Sequence, residues 1–458
     1  METHFSPQQL ADPALQEAES ILRRCVHCGF CTATCSSYVL LGDERDSPRG
    51  RIYLIKDMLE NDRKASDEVR FHIDRCLSCL SCMTTCPSGV DYMHLVDFAR
   101  SHIEKTASRP PKDRLTRKLL QAVLPYPARF RRALWAATFA KPFRGLMRAL
   151  GLKEMAAMVD KAALPARTAQ YPGPQVIPAR GPRRARVALM SGCAQQVLRP
   201  QINDAAIELL TSQGVEVVLA RGEGCCGALV HHMGQDEAAR EFARNNVLAW
   251  EHAMVDGPLD AILITASGCG TTVKDYGHLL AHDPAYAERA EAVAALARDV
   301  TEFLADMIDI GAPHGWSDIR VAYHSACSMQ HGQRVIEQPR RLLREAGFSV
   351  AEIAEGHICC GSAGTYNLLQ PEIADGLRER KLAHIGATEP DCVATGNIGC
   401  INQLAGPSAP PVVHTVELLN WAYGGACPTE LRHLAGRIRS MHATFAEQKA
   451  TAAEPATV

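Results

Sequence analysis

Two cysteine runs near the N-terminus constrain this chain more than any other feature of its sequence. The runs are Cys25-x-x-Cys28-x-x-Cys31-x-x-x-Cys35 and Cys76-x-x-Cys79-x-x-Cys82-x-x-x-Cys86-Pro87. In this spacing three sulfurs converge on one iron–sulfur cube, and the fourth lies far enough along the chain to reach a neighbouring cube. The alternatives are a disulfide framework or a pair of zinc sites, but zinc sites rarely use this run twice. The sequence therefore predicts two [4Fe–4S] clusters close together, in a protein that transfers single electrons.

The fourth cysteine of each run decides how the eight ligands divide. We predict that the first cluster is bound by Cys25, Cys28, Cys31 and Cys86, and the second by Cys76, Cys79, Cys82 and Cys35. His27 lies inside the first loop, where an imidazole could donate a hydrogen bond to a cluster sulfur and tune its potential. The plainer interpretation of His27 is a solvated loop histidine.

Length and composition place the chain among soluble globular proteins. It has 458 residues, 47% of them hydrophobic, with 18 cysteines and a formal net charge of −2. In a long chain without an export signal, many cysteines indicate metal ligands more than disulfides. The N-terminal segment shows no basic-then-apolar signal pattern, and the sequence has no run of about 18 uninterrupted apolar residues. We therefore expect a cytoplasmic location, with peripheral attachment to the cytoplasmic face of the inner membrane left open.

The N-terminal region, residues 1–105, has the pattern of helices joined by cysteine-bearing loops. Apolar residues recur at helical spacing over residues 50–59 between the two runs, and residues 92–105 after the second run form another predicted helix. We predict an all-α, ferredoxin-like domain here.

A basic segment follows, over residues 106–185. From Arg109 to Arg186 there are 18 lysines and arginines against 3 acidic residues, and aromatic residues such as Trp135 and Phe139 alternate with the basic ones. A basic, aromatic helix of this kind can lie on an anionic membrane surface. The alternative is that it packs on a partner subunit or on the chain itself.

The C-terminal half is an internal duplication. The corresponding cysteines lie 134 residues apart at the first three positions and 131 apart at the last. So constant an offset indicates two copies of one domain, at residues 186–305 and 315–427. A C-terminal helix and a disordered tail are predicted for residues 428–458.

Each copy alternates strand and helix patterns. The predicted strands are residues 186–190, 215–220 and 261–266 in the first copy, and 321–324, 348–353 and 392–396 in the second. Such alternation predicts a parallel sheet covered by helices, with its functional crevice beyond the carboxyl ends of the strands. The fold class is therefore α plus α/β: an all-α domain followed by two duplicated parallel-sheet domains.

Each copy also brings four cysteines to these strand ends. The quartets are Cys193, Cys225, Cys226 and Cys269, and Cys327, Cys359, Cys360 and Cys400. Four thiolates could hold zinc, a cubane or an unusual cluster, whereas the plain alternative is that they are buried thiols. Cys392 and Cys427 have no counterpart in the other copy and are predicted to be structural.

The remaining candidate residues give little indication of function. His231, His232 and His324 lie near the quartets, and we interpret them as ordinary polar residues. Residues 361–364 are glycine-rich but lack a phosphate-binding context. The sequence shows no dinucleotide motif and no nucleophile–base set, so no catalytic residue is predicted. We find no sequence basis for a nucleic-acid partner.

Several stretches resemble the iron–sulfur subunit family of bacterial glycolate oxidase. They are residues 25–35, 47–56, 86–89, 265–270 and 359–366, and the resemblance covers roughly residues 15–425. The two copies resemble the cysteine-rich CCG domain. The resemblance implies a multi-subunit oxidoreductase in which an FAD-containing subunit oxidises glycolate, or D-lactate, and this subunit carries the electrons toward a membrane quinone without being catalytic alone.

Two departures from the family pattern bear on the alternatives. Ser36 stands where a proline often follows the fourth cysteine, and the final C-x-x-C of fuller CCG domains is missing its second sulfur at Thr272 and Gln403. The second departure disfavours a catalytic subunit like heterodisulfide reductase. A third alternative, the electron-transfer subunit of a glycerol-3-phosphate or lactate dehydrogenase, is not separated by sequence, because the flavin subunit chooses the substrate.

Overall fold

The computed structural model describes residues 1–149, 169–308, 315–407 and 409–440, and between them residues 151, 156, 159, 164–166, 310, 311 and 313. Most of the expected tail, residues 441–458, lies outside these ranges. Among the described residues, no helix combines the length and the apolar character that crossing a bilayer requires.

The N-terminal region is helical, as the sequence predicts. Its α-helices are Pro13–Arg24, Phe30–Ala33, Ser36–Leu41, Pro48–Glu60, Asp67–Asp74, Ser81–Thr85 and Tyr92–Thr106, with 3-10 turns at Gln9–Ala11 and Glu44–Asp46. Ser47 begins the helix Pro48–Glu60 because its hydroxyl accepts a hydrogen bond from the Gly50 N–H, and proline suits the first helical position. Leu22, Ile55, Ile73 and Leu95 are fully buried where these helices meet.

The basic segment packs one face against the rest of the chain. Its helices are Pro111–Val123, Pro127–Ala140 and Arg144–Ala149, with a 3-10 turn at Lys141–Phe143. Arg109 and Arg117 both pair with Asp74, at 2.7 and 3.1 Å. Leu134 packs on Val197 of the first copy. The segment also contributes an unexpected strand, β1 (Gln175–Ile177), which pairs antiparallel with the edge of the first sheet.

The first copy builds a five-stranded sheet. Its further strands are β2 (Ala185–Leu189), β3 (Val215–Leu219), β4 (Ala261–Ile264) and β5 (Ala297–Asp299), in the order β1-β3-β2-β4-β5. All of the pairings among β2 to β5 are parallel, as predicted. The α-helices of this copy are Gln195–Leu198, Gln201–Ser212, Ala228–His231, Asp236–Val255, Ser267–Lys274, Tyr276–Leu279, Ala287–Leu296 and Val300–Asp306.

The second copy builds a four-stranded, all-parallel sheet. After β6 (Gly315–Ser317) come β7 (Arg320–Tyr323), β8 (Ser349–Glu352), β9 (Cys392–Thr395) and β10 (Val412–His414), in the sheet order β10-β9-β7-β8. Its helices are the π-helix Ser328–Gln333 and the α-helices Gln338–Glu345, Tyr366–Leu369, Pro371–Gly386, Ile398–Leu404 and Thr415–Ala422. The C-terminal helix is a 3-10 helix, Thr429–Arg437, and a strand β11 (Ile438–Ser440) that the sequence did not predict pairs antiparallel with β6.

The two copies share one hydrophobic core and both contact the N-terminal domain. Buried residues of both sheets, among them Val187, Leu263 and Val321, belong to a single cluster. Parallel strands with both faces covered are expected to be apolar throughout, which explains this pattern. Thr84 of the N-terminal domain lies 2.8 Å from His331, and the Tyr366 hydroxyl donates to the Arg75 carbonyl at 2.9 Å. These two contacts hold the cysteine loops of the N-terminal domain next to those of the second copy.

Candidate metal centres

Four cysteines from distant parts of the N-terminal domain line one cavity. Cys25, Cys28, Cys31 and Cys86 surround an empty volume of about 430 Å³, part of it open to solvent, and Cys82 reaches its wall. This is the set that the run spacing assigns to the first cluster. The structure brings these sulfurs together, and their role as ligands stays a prediction.

The other four cysteines line a second cavity. Cys35, Cys76, Cys79 and Cys82 surround an empty volume of about 310 Å³. Pro48, Cys82 and Tyr92 line both cavities, so the two adjoin directly. The donor set in each is entirely thiol, which suits iron–sulfur clusters.

Left-handed backbone positions turn both cysteine loops around their cavities. His27 and Gly29 have φ values of 55° and 84°, and the corresponding Ser78 and Leu80 have 49° and 62°. Only glycine adopts this conformation without a steric cost, which is about 1–2 kcal/mol for other residues. The strain at Ser78 and Leu80 shows that the loop conformation is imposed by its surroundings.

Buried polar groups surround the second cavity. Arg51 is fully buried and donates to the Ser37 hydroxyl at 3.0 Å and the His72 carbonyl at 2.7 Å, with a guanidinium nitrogen 3.9 Å from Cys35 Sγ. Asp46, also buried, pairs with Arg51 at 3.2 Å. The Tyr92 hydroxyl donates to Cys76 Sγ at 3.7 Å. Positive charge and hydrogen-bond donors near cluster sulfurs favour the reduced state.

Burial keeps several of these thiols protonated. It raises the pKa of Cys31 to about 11, and it raises the pKa of Cys82 well above its ordinary value, with the charge of Cys79 adding to the effect. A thiol must lose its proton before it ligates a metal ion. If clusters assemble at these cavities, as the run spacing predicts, their binding would release these protons.

The first quartet forms a chain of sulfur contacts. The thiols of Cys193 and Cys225, of Cys225 and Cys226, and of Cys226 and Cys269 are close enough to shift one another's pKa. The interactions with Cys193 and Cys226 lower the pKa of Cys225 well below its ordinary value. The loop is held by Tyr276, whose hydroxyl donates to the Cys226 carbonyl at 2.9 Å. The four cysteines that follow the strands of the first copy therefore lie together, as the sequence predicts.

The second quartet contains two close sulfur pairs, which are linked by an interaction between the thiols of Cys359 and Cys360. Cys327 Sγ lies 3.7 Å from Cys359 Sγ, and Cys360 Sγ lies 3.5 Å from Cys400 Sγ. The ligand atoms of His324, Cys360 and Cys400 all lie within 4.8 Å of one another. From sequence His324 is interpreted as an ordinary polar residue, because only the folded structure shows which side chains it faces.

The second quartet also adjoins the second cavity. The Ser36 hydroxyl accepts a hydrogen bond from the Cys359 N–H at 3.0 Å and lies 4.0 Å from Cys79 Sγ. Leu77, Cys79, Cys327 and Cys359 pack in one apolar cluster. Ser36 is the residue that departs from the family pattern, so the departure itself was the available signal.

The remaining candidates have separate surroundings. Cys392 is buried within β9, and Cys427 is half-buried with its thiol donating to the Pro428 carbonyl at 3.5 Å. His232 pairs with Asp97 at 3.3 Å, across the boundary between the first copy and the N-terminal domain. His27 lies on the wall of the first cavity, its ring 6.3 Å from the ring of Tyr53.

Comparisons with known proteins agree with this architecture. A 4Fe-4S dicluster domain model matches residues 24–90, and a cysteine-rich domain model, CCG, matches residues 187–274 and 321–405. The glycolate oxidase iron-sulfur subunit of Escherichia coli K12 is 41% identical over 92% of this chain and 99% of its own length. The probable glycolate oxidase iron-sulfur subunit of Bacillus subtilis 168 is 31% identical over 84% and 89%.

Two more distant comparisons are informative about parts of the chain. Lactate utilization protein A of Geobacillus kaustophilus is 28% identical over 51% of this chain and 98% of its own length. The crystal structure of a hypothetical protein from Helicobacter pylori superposes with a TM-score of 0.51 at 9% identity, over 92% of this chain and 74% of that one. At so low an identity the second comparison supports the fold alone.

Proposed function

The chain belongs to the family of glycolate oxidase iron–sulfur subunits, and we propose that it carries electrons from an FAD-containing partner subunit, which oxidises glycolate to glyoxylate, toward a membrane quinone. The observation that carries this proposal is the pair of adjoining four-cysteine cavities. When bound, two [4Fe–4S] clusters would accept and release single electrons. The chain acts as a subunit of an oxidoreductase and has no catalytic residue of its own in this proposal.

The overall reaction moves electrons in pairs, whereas each cluster would carry one electron at a time. Oxidation of glycolate to glyoxylate releases two electrons and two protons, and reduction of a quinone to a quinol consumes the same number. The relay therefore has to pass two electrons in single steps while the protons move elsewhere. Arg51, buried beside the second cavity, offsets the negative charge that each electron brings.

Reconstitution with partner subunits tests the proposal. We expect the anaerobically prepared chain alone to give no glycolate-dependent dye reduction, and the complex with flavin subunits to give it. Cys28→Ser and Cys79→Ser should bring the complex close to background, while glycolate still reduces its flavin. Activity of the chain alone, or full activity of both variants in the complex, would overturn the proposal.

Lactate is the second candidate substrate of the complex. The resemblance to a lactate utilization protein covers about half of this chain, whereas the glycolate oxidase subunit of Escherichia coli matches 92% of it. The longer match favours glycolate. Dye reduction by the same reconstituted complex with D-lactate in place of glycolate distinguishes the two, because the flavin subunit selects the substrate.

We further propose that the exposed face of the basic segment binds an anionic membrane. Trp135, Phe139 and Phe143 are 47%, 73% and 61% exposed, on a segment that also carries Arg132 and Lys141. Exposed aromatic residues flanked by positive charge are typical of helices at a lipid surface. Another face of the helix Pro127–Ala140 is occupied, since Leu134 packs on Val197 with Phe130 and Ala137 beside it.

Vesicle sedimentation tests this surface. The chain should bind vesicles containing phosphatidylglycerol and release them at high salt, and Phe139→Ser should weaken binding several-fold. Val255→Ser, which changes an apolar residue 81% exposed on the first copy, serves as the control and should leave binding unchanged. Equal binding to neutral phosphatidylcholine vesicles, or no effect of Phe139→Ser, would contradict the proposal.

A further inference from the structure

The two copies place different side chains at one equivalent position. The offset of 134 residues aligns His324 with Met190, as it aligns Cys327 with Cys193. The backbone hydrogen bonds of the two copies agree with this alignment. The backbone N–H of His324 donates to the Ala394 carbonyl at 2.9 Å, and the backbone N–H of Met190 donates to the Leu263 carbonyl at 2.9 Å. Each residue thus follows the equivalent central strand, β7 or β2. The first copy offers a thioether there, and the second offers an imidazole.

The imidazole of His324 is buried, and among the described residues one of its two ring nitrogens is unsatisfied. Its exposure is 2%, and within the part of the chain that the structure describes Nε2 has no hydrogen-bond partner. A buried polar nitrogen without a partner costs about 1–3 kcal/mol, and a metal ion bound to that nitrogen would remove the cost. The sulfurs of Cys360 and Cys400 lie with it in one group whose ligand atoms are all within 4.8 Å.

The spacing within this group suits a single metal ion. Zinc–sulfur bonds of about 2.3 Å at tetrahedral angles place two ligating sulfurs about 3.8 Å apart. The sulfurs of Cys360 and Cys400 are 3.5 Å apart. Ligands of a four-iron cube sit on different irons and lie farther apart than the edge of one tetrahedron. Mixed imidazole and thiolate donors are typical of structural zinc sites.

We propose that His324, Cys360 and Cys400 bind one zinc ion in the second copy. Asn397 supports the site, because its side-chain amide lies 3.7 Å from Cys400 Sγ and can donate to it. The pair Cys327 and Cys359 packs with Cys79, and Cys359, whose thiol also interacts with that of Cys360, is placed to complete the four ligands that a structural zinc ion requires. Since zinc does not change its oxidation state, this site holds the second copy together and is not a third station of the electron relay.

Metal analysis and zinc K-edge absorption of the full chain, produced without a polyhistidine tag, test the proposal. We expect about one zinc per chain, with sulfur neighbours at about 2.3 Å and an imidazole nitrogen at about 2.0–2.1 Å. His324→Met introduces the residue that the first copy has at this position. It should lower the zinc content at least tenfold, while the iron content stays at about eight per chain. His357→Gln alters a histidine two residues from the Cys359–Cys360 pair that is outside the group, and it should keep the zinc.

The outcomes separate this proposal from the electron-transfer proposal. Absence of zinc, an all-sulfur shell, iron in place of zinc, or unchanged zinc in His324→Met would each overturn the zinc site, whatever the glycolate assay shows. If His324→Met does not fold, the imidazole shell of the unaltered protein still decides the question. A loss of glycolate-dependent activity in Cys28→Ser would leave the zinc result untouched.

Discussion

Arg51 is a single residue that we expect to influence both the stability of the N-terminal domain and the potential of a cluster in the second cavity. Its guanidinium joins Ser37, the His72 carbonyl and Asp46, and it lies 3.9 Å from Cys35 Sγ. Burying an arginine is costly unless its donors are satisfied, and here the neighbouring groups satisfy them. The sequence places Arg51 on a helix between the two cysteine runs, but it does not show which of its neighbours the side chain contacts.

We predict that Arg51→Gln destabilises the N-terminal domain and lowers the midpoint potential of the second cluster. Asp46 keeps Arg75 at 2.9 Å and His72 at 3.0 Å, so the loss of stability should be about 1–3 kcal/mol. The potential should become more negative because the reduced cluster loses a nearby positive charge. Anaerobic thermal unfolding and a redox titration followed by electron paramagnetic resonance measure the two effects.

Arg63→Gln is the control for this substitution. Arg63 forms an exposed ion pair with Asp57, and exposed pairs contribute little to stability. In Arg63→Gln, the thermal stability and the midpoint potential of the second cluster should both stay close to those of the unaltered protein. An unshifted potential in Arg51→Gln would show that its charge is not felt at the second cluster.

At the scale of elements, the repeated Cys-Cys-Gly loops depend on close packing against a helix backbone. Gly227 and Gly361 have φ values of 91° and 89°. A Cβ on Gly361 would lie 2.4 Å from the Ala374 carbonyl oxygen, and one on Gly227 would lie 3.1 Å from the Ala239 carbonyl oxygen. The glycines therefore let both cysteine pairs sit directly against the helices Pro371–Gly386 and Asp236–Val255.

We predict that Gly361→Ala destabilises the second copy by a few kcal/mol, more than Gly227→Ala destabilises the first. The alanine pays for the left-handed conformation, about 1–2 kcal/mol, and at position 361 it also collides with a backbone oxygen. Gly386→Ala is the matched control, since a Cβ there meets nothing within 4 Å. It should be neutral or stabilising by up to about 1 kcal/mol. Urea unfolding of the three variants measures this order. Equal losses in the free energy of unfolding for Gly361→Ala and Gly386→Ala would contradict the prediction.

A second element-scale contact ties the helix Tyr92–Thr106 to the first copy. His94 lies 3.0 Å from Asp275 and 2.8 Å from Asp91, and its ring stacks on that of His278 at 3.5 Å. His278 in turn pairs with Glu17 at 2.9 Å. Burial lowers the pKa of His94, but the hydrogen bonds and charges of Asp275 and Asp91 outweigh it and raise the pKa to about 10.

The raised pKa predicts a stability difference that depends on pH. Since the folded protein holds the proton more tightly than the unfolded chain, the contribution is complete below pH about 6.5 and disappears as the pH rises toward about 10. His94→Gln should therefore lower the free energy of unfolding by about 1–2 kcal/mol near pH 6, after solvent screening, and by little near pH 10. Met93→Leu, a substitution of a side chain without a titratable group on the same helix, is the control and should show no such trend. If His94→Gln lowers the free energy of unfolding equally at both pH values, protonated His94 does not stabilise the fold through Asp275 and Asp91.

At the scale of the whole molecule, the second cavity lies between the first cavity and the second cysteine quartet. It shares Pro48, Cys82 and Tyr92 with the first cavity, and Ser36 connects it to the second quartet. Each cavity also draws one cysteine from the other run, Cys86 or Cys35. This crossover closes the loops of the N-terminal domain around one another, so the clusters are expected to act as cross-links as well as carriers.

The crossover predicts the iron content of double variants. Cys28→Ser with Cys86→Ser removes two ligands from the same predicted cluster, so about four of about eight irons per chain should remain. Cys28→Ser with Cys35→Ser removes one ligand from each, and most of the iron should be lost. Iron and sulfide analysis with electron paramagnetic resonance of anaerobic samples measures both. If the first pair loses all of the iron and the second keeps half, the division of the ligands is wrong.

The sequence by itself determined what depends on short spacing and on repetition. Three cysteines separated by two residues each can reach one metal centre through local turns alone, and a constant offset reveals a duplicated parallel-sheet domain wherever its copies lie. The family resemblance follows from the same local motifs. The helical pattern between the runs was equally visible, because apolar periodicity is a local property.

Only the tertiary structure decided which distant groups meet. Ser36 and Cys359 are 323 residues apart and hydrogen-bonded, and His324 faces Cys360 and Cys400 from a different strand end. The edge strand β1 was likewise unforeseen, since a three-residue strand forms only when a sheet edge is there to pair with it. Such contacts depend on how separately folded layers pack, and the pattern of neighbouring residues along the chain carries no record of that packing.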